Sequence, residues 1–263
     1  MEKPVVSVIM PAYNCEKFIA KAIESVLAQN VSLELIILND CATDGTERVI
    51  QQYLSDQRIR YVKNDRNMGV ARTRNEGVRM AMGEYVAFLD SDDWWEREKL
   101  SKQLALIKRE KKVLCSTGRE LVDINGNLTG REIPVRETIT YGMMLKQNWI
   151  NCSSVLLKRE VAEEFPMEHE DSHEDYITWL KILQKYQYAC AINEPLLKYR
   201  LSSQGKSGSK FKSAKMTFKV YQYMGFSWWK SIGCFICLRL EWCKEICKKI
   251  NERLPLLFWQ KFR

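Results

Sequence analysis

A chain of 263 residues, 46% of them hydrophobic, is long enough for one large domain or a domain with an appendage, and it can bury a sizeable core. Its nine cysteines are odd in number and scattered, and the first strand-like run, Val5 to Met10, is too short for a signal sequence or a membrane span; both points argue for a reducing cytosol over a disulfide framework. The net charge of +8 is lopsided: from Lys206 onward 13 Lys/Arg face 3 Asp/Glu, and Trp228, Trp229, Trp242 and Trp259 lie there, which divides the chain into a domain at 1–205 and a basic, aromatic tail at 206–263.

Val5 to Met10 reads as a strand ending at Pro11-Ala12-Tyr13-Asn14, and Phe18, Ile19, Ala22, Ile23, Val26 and Leu27 follow at helical spacing. Leu33 to Leu38 is a second apolar strand, closed by Asn39-Asp40, and Thr43-Asp44-Gly45 opens the next helix. Ile59 to Val62 is a short strand, Asn67-Met68-Gly69 a turn, and a helix with Arg72, Arg74 and Asn75 follows. Tyr85 to Leu89 is a buried strand that runs straight into Asp90, Asp92 and Asp93. Further elements are a helix over Trp95 to Lys111, a strand over Val113 to Val122, a hairpin turn at Asn125-Gly126 and a strand over Cys152 to Leu157. Glu174 to Tyr186 is an amphipathic helix; Ala189 to Ile192 and Leu196 to Arg200 are short strands, and Ser202 to Lys212 is a polar Ser/Gly/Lys-rich stretch. This β-α alternation predicts an α/β fold with a mainly parallel central sheet and helices on both faces.

In such a sheet ligands bind outside the carboxyl ends of the strands. Three of those ends carry Tyr13-Asn14, Asn39-Asp40 and Asp90-Ser91-Asp92. An aromatic ring, a lone carboxylate, an Asp-x-Asp pair suited to Mg²⁺ or Mn²⁺ and nearby arginines are the parts of a nucleotide-diphosphate pocket. The competing reading of the Asp cluster is a polar loop that caps the next helix. Neither a Walker A loop nor a G-x-G-x-x-G is present, which excludes support for a P-loop NTPase or a dinucleotide enzyme.

The segments VSVIMPAYN, NDCATDGT, NMGVARTRNEG, YVAFLDSDD and EDYITWL occur in the order seen in family 2 glycosyltransferases of the GT-A fold, which this chain resembles over roughly residues 4 to 205. Residues 174 to 224 look most like bacterial transferases that build teichuronic acid, capsule or O-antigen polysaccharide. The resemblance implies a uridine pocket lined by Pro11, Ala12 and Tyr13, with Asp40 accepting the uracil N3–H. It implies Arg74 near the diphosphate or sugar, Asp90 and Ser91 in the sugar-nucleotide site, Asp92 on the metal and Asp175 as catalytic base. Arg200, with the loop after it, matches a segment that closes over the diphosphate. One departure stands beside Asp40: the family often has Asp-Asp-Gly-Ser where this chain has Asn39-Asp40-Cys41-Ala42. The implied activity is inverting transfer of a hexose or N-acetylhexosamine from a UDP-sugar to a lipid-linked surface polysaccharide or lipopolysaccharide acceptor, with Mn²⁺ or Mg²⁺ as cofactor. A non-catalytic sugar-nucleotide-binding subunit is the alternative.

Other patterns compete. His169-Glu170-Asp171-Ser172-His173 matches the zincin H-E-x-x-H, but it lies in an acidic run and the chain has only these two histidines. Cys234, Cys237, Cys243 and Cys247 point in two directions on a continuous helix and cannot share one zinc ion. For Asp175 the competing reading is a first-turn acid of its helix and for Tyr13 a core aromatic, while Trp94 and Trp95 read either as lining of an acceptor site or as core or rim packing. From Trp228 to Ile250 a helical projection gathers Trp and Ile on one side and Lys230, Lys244 and Lys248 on the other, which fits an interfacial helix against anionic lipid, with packing on the domain as the competing expectation. That placement implies a cytoplasmic protein peripheral on the inner face of the cell membrane. No nucleic-acid motif accompanies the basic tail.

Overall fold

The runs expected to be strands are mostly apolar and buried: seven-residue β1 (Val6–Ala12) and β2 (Leu33–Asn39) are covered on both faces, as central parallel strands are. The computed structural model describes residues 3–201 and 210–236. After β1 come α1 (Ile19–Leu27), β2, α2 (Thr46–Gln51), β3 (Ile59–Lys63), α3 (Val70–Met80) and β4 (Tyr85–Phe88). Then follow β5 (Trp94–Trp95), α4 (Lys99–Arg109), β6 (Leu114–Val122), β7 (Leu128–Ile133), β8 (Thr138–Thr140) and α5 (Tyr141–Lys146). A 3-10 turn (Cys152–Ser154), β9 (Leu156–Lys158), α6 (Arg159–Glu164), α7 (Glu174–Tyr186), β10 (Tyr188–Arg200) and α8 (Lys210–Tyr223) complete the named elements, and residues 228–236 are helical.

The sheet has the order β3-β2-β1-β4-β9-β6-β10-β5, with β7 beside β6 and β8 beside β10. The block β3-β2-β1-β4 is parallel, as is β6 with β10, and β9 runs antiparallel between the two. Successive side chains alternate between faces. Val8, Met10, Leu35 and Ile37 therefore join α1 in the core on one side, while on the other Ile9 and Leu38 lie under α3 and Phe88 meets Trp179 of α7. Because β2 and β3 lie to one side of β1 and β4 to the other, the chain reverses direction across the sheet between β1 and β4. Crevices form at such reversals.

Several expectations change in detail. The helix expected from Trp95 begins only at Lys99, because Trp94 and Trp95 pair with Lys198 and Leu197 as a short strand. Trp95 is a core residue whose indole N–H donates to the Ser153 carbonyl at 2.7 Å. The strand expected over Cys152 to Leu157 splits, since the Asn151 side chain accepts from the Ser153 N–H and tightens Cys152–Ser154 into a turn. The two strands expected at 189–200 are one strand, β10, with a register shift between Ile192 and Leu197. Helices α5 and α6 and strands β7 and β8 were not foreseen; they are three to six residues long and carry too few turns for a periodicity to show.

Beyond residue 205, α8 packs on the sheet domain through buried Met216, Val220 and Tyr221, and the Tyr221 hydroxyl donates to the Leu145 carbonyl at 2.9 Å. The later part of the projected tail helix, with Trp242, Cys237, Cys243 and Cys247, lies outside the described residues, as do residues 202–209.

Candidate active site

The crevice floor is made by the carboxyl ends of β1, β2 and β4. Tyr13 leaves β1 with 51% of its surface exposed, so it is a free ring and not a core aromatic. Pro11 is half-buried and Ala12 buried beneath it. Asn14 then takes a left-handed conformation (φ 48°) and accepts from the Thr43 N–H at 2.8 Å, tying the β1 end to the β2 end.

Asp40, at the end of β2, is buried. Its Oδ1 accepts from Asn64 Nδ2 and from the Met68 N–H, each at 2.8 Å, and its Oδ2 accepts from the Gly69 N–H at 2.9 Å. Each carboxylate oxygen has two lone pairs, so Oδ2 keeps room for one more donor. Cys41 sits at φ 64°, the left-handed region in which glycine is unstrained. This is the position of the departure noted in the sequence, and the backbone there keeps the shape a glycine would take.

The Arg74-Asn75-Glu76-Gly77 segment of α3 is where the structure adds most. Arg74 is buried, and its guanidinium forks between two carboxylates: Nη1 donates to Glu174 Oε1 at 2.9 Å and Nη2 to Asp90 Oδ1 at 2.5 Å. Asn75 grips the backbone of Met167 from both sides, donating to its carbonyl at 2.7 Å and accepting from its N–H at 2.9 Å. Gly77 lets α3 lie close on the sheet, since a Cβ there would stand 2.5 Å from Ile9 Cγ2. Glu170 accepts from the Ala71 N–H at 2.8 Å, so it serves as an N-terminal cap of α3 supplied from 100 residues away. The segment after Pro166 is thereby fastened to α3 at three points. His169 stacks on Tyr223 with ring centroids 3.7 Å apart, and His173 stands just before α7, so the two histidines do not share the helix face that a zincin needs.

Asp175 sits in the first turn of α7, one residue after the buried Glu174. Burial, and next the Glu174 charge, push its carboxyl up to about 6, against the opposing pull of Arg74. Asp90 and Ser91 are half-buried at the end of β4, and Asp92 behaves like Asp175: burial and then the Asp90 charge raise it to about 6. Asp93 is fully inside, raised well above the usual carboxylate range by burial and by its two acidic neighbours, and accepts from the Arg200 N–H at 2.9 Å. Arg200 is buried and braces this loop. Its Nε donates to the Asp92 carbonyl at 2.8 Å and its Nη1 to the Ile124 carbonyl at 2.7 Å, while the guanidinium lies over the rings of Phe18 and Trp94. Trp94 is thus packed at the rim.

Among the described residues no cluster of three or more His, Cys, Asp or Glu side chains forms a metal cage. The hard oxygens of Asp90 and Asp92, crowded enough to raise Asp92, suit a divalent ion whose remaining ligands are water and substrate phosphate. Sequence reasoning gave Glu174 and Asn75 no role of their own and saw Glu170 only within the H-E-x-x-H match. The Glu174-Asp175 doublet marked the place, but only contacts nearly 100 residues long in sequence distinguish the two acids.

A chain reversal beside β1, a free aromatic ring, an Asp-x-Asp at the end of β4 and an acid raised toward neutrality define a glycosyltransferase of the GT-A fold. The sequence profile of "Glycosyl transferase family 2" matches residues 7–165, and the chain belongs to that family. It is 38% identical over 250 residues to the putative teichuronic acid biosynthesis glycosyltransferase TuaG of Bacillus subtilis (strain 168), covering 94% of this chain and 98% of that one. It is 35% identical over 225 residues to the UDP-Glc:alpha-D-GlcNAc-diphosphoundecaprenol beta-1,3-glucosyltransferase WfgD of Escherichia coli, covering 84% and 86% of the two chains. The crystal structure of S. aureus TarS residues 1–349 in complex with UDP-GlcNAc superposes with a TM-score of 0.68 at 19% identity, over 89% of this chain and 71% of that one. The protein is a glycosyltransferase of the α/β, GT-A type.

Proposed function

We propose that the protein transfers a hexose or N-acetylhexosamine from a UDP-sugar, with inversion, to a lipid-linked saccharide at the inner face of the cell membrane. The observation that carries this reading is the placement of Asp175: a carboxyl raised to about 6, next to Glu174 and within the field of the Arg74 that holds Asp90. The names of WfgD and TuaG support the donor, the lipid-linked acceptor and the polysaccharide setting.

In this mechanism the uracil lies on the Tyr13 ring above Pro11 and Ala12, and its N3–H is taken by the spare lone pair of Asp40 Oδ2. Asp92 would hold a Mn²⁺ or Mg²⁺ ion, which when bound would offset the charge of the departing diphosphate, with Asp90 beside the ribose or sugar. Ser91 and Arg200 belong to the same wall, Arg200 by holding the Asp92 backbone in place. Asp175 takes the proton of the acceptor hydroxyl as its oxygen bonds to the anomeric carbon from the face opposite the nucleotide. A base near pKa 6 is ionised at neutral pH yet more basic than an ordinary aspartate, which suits general-base work.

Membrane contact belongs to the tail. In the helix at 228–236, Trp229 is 78% exposed, with Trp228, Lys230 and Ile236 also outward, an apolar and basic combination that suits the interface of anionic lipid. Among the described residues no helix is long and apolar enough to cross a membrane. Residues 1–205 then act as the catalytic unit and 206–263 as the docking appendage.

The test is UDP release from UDP-glucose and related UDP-sugars, with and without Mn²⁺, with α-GlcNAc-diphosphoundecaprenol as acceptor. Metal-dependent transfer that Asp175→Asn cuts to a small residual rate while UDP still binds supports the reading; an unchanged rate in that variant sinks the base assignment. Replacing Trp228 and Trp229 together by serine is expected to release the protein from phosphatidylglycerol vesicles, and undiminished vesicle binding removes the tail from the account.

A further inference from the structure

We propose that Glu174 is a positioning residue for transfer: by gripping Arg74 it locks the first turn of α7, which carries Asp175, to the strand end that carries Asp90 and Asp92. The inference rests on the reading of Asp175 as base. It starts from a gap in local structure. Helix α7 begins after His173, whose side chain makes no capping hydrogen bond, so its first turn lacks the usual local lock. Further along, Tyr176, Trp179, Leu180 and Leu183 bury the helix in the core and set its axis. The rotation of the first turn is left to outside contacts.

Glu174 supplies one of them. Its carboxylate is buried and meets Arg74 Nη1 at 2.9 Å, and the other arm of the same guanidinium meets Asp90 at 2.5 Å. A planar fork with two fixed arms sets direction as well as distance. Residues 174 and 175 stand about 100° apart around the helix, so Glu174 turns inward to Arg74 while the neighbouring Asp175 is left half-buried. Any rotation that pulls Glu174 off Arg74 swings Asp175 with it. A buried ion pair is seldom more stabilising than apolar residues of equal volume. What this pair adds is geometric: it connects the half of the site that activates the acceptor to the half that holds the donor phosphates. General-base catalysis needs that link, because a misplacement of about 1 Å costs on the order of 100-fold in rate.

The experiment uses the full chain, UDP-glucose or the active donor of the panel, Mn²⁺ and α-GlcNAc-diphosphoundecaprenol, with each variant assayed at its own pH optimum. Glu174→Ala is expected to lower kcat on the order of 100-fold while KM for the donor and UDP affinity stay within a few-fold of wild type. Glu174→Gln keeps an oxygen for Arg74 and is expected to recover most of the lost rate. In an Asp175→Asn background Glu174→Ala is expected to cost nothing more, because a positioning residue has no effect once the group it positions is gone. Full kcat in a folded Glu174→Ala, or losses that multiply in the double variant, overturn the proposal. If alanine does not fold, Glu174→Asp, which keeps the charge on a shorter arm, decides the same question by its kcat at unchanged UDP affinity. Loss of the parent reading is distinguishable: there Asp175→Asn itself retains the wild-type rate.

Discussion

Arg74→Met should destabilise the fold, and the size of the effect follows from the three groups involved. Side-chain exposure is 5% for Arg74, 6% for Glu174 and 33% for Asp90, so water can compensate Asp90 but not Glu174. Breaking a buried ion pair by removing one partner costs about 3–5 kcal/mol. Urea unfolding at pH 7 should therefore show a deficit of about 3–5 kcal/mol. The corresponding fall in Tm is roughly 6–20 °C. A deficit under about 1 kcal/mol refutes the view of Arg74 as a bridge between buried carboxylates.

Tyr13→Ala should weaken UDP binding by about 1–3 kcal/mol, the usual worth of a base–aromatic stack, and leave Tm nearly unmoved because half the ring is in solvent; calorimetry with UDP and a thermal melt check both halves. Gly77→Ala drives a methyl group to 2.5 Å from the fully buried Ile9 and should cost about 1–3 kcal/mol in a urea titration. With Asp175 raised to about 6, kcat/KM should fall as pH drops through 6, since the base is then protonated, and a flat profile from pH 5 to 8 would contradict its role. Asp92 is also raised to about 6, so its ionisation opposes folding as pH rises through that value; Mn²⁺ should raise Tm at pH 7.5 and have little effect at pH 5, where the carboxyl holds a proton.

The strands that hold the site were legible because burial on both faces leaves a mostly apolar run, as in Leu35 to Leu38, and because polar signals follow where such a run meets the crevice. The short elements between β6 and α7 were not, and neither was the exchange of an expected helix start for the two-residue strand at Trp94–Trp95, which exists only because β10 lies alongside. The same limit applied to the acids. Spacing along the chain singled out Asp40, Asp90 and Asp92 at strand ends, but gave no reason to separate Glu174 from Asp175, or to see in Glu170 the cap of a helix 100 residues earlier.

By itself the sequence determined what local physics can encode: the order of strands and helices, the polar residues at the strand ends, the basic, aromatic character of the tail and the family to which these motifs belong. The tertiary structure decided which charged groups face one another. It placed Arg74 between Glu174 and Asp90, turned Arg200 inward to brace the Asp92 loop, and left Tyr13 open to solvent. The physical reason is that periodicity reports only whether a residue faces the core, whereas the ionisation and duty of a buried charge depend on partners brought within about 3 Å from distant parts of the chain.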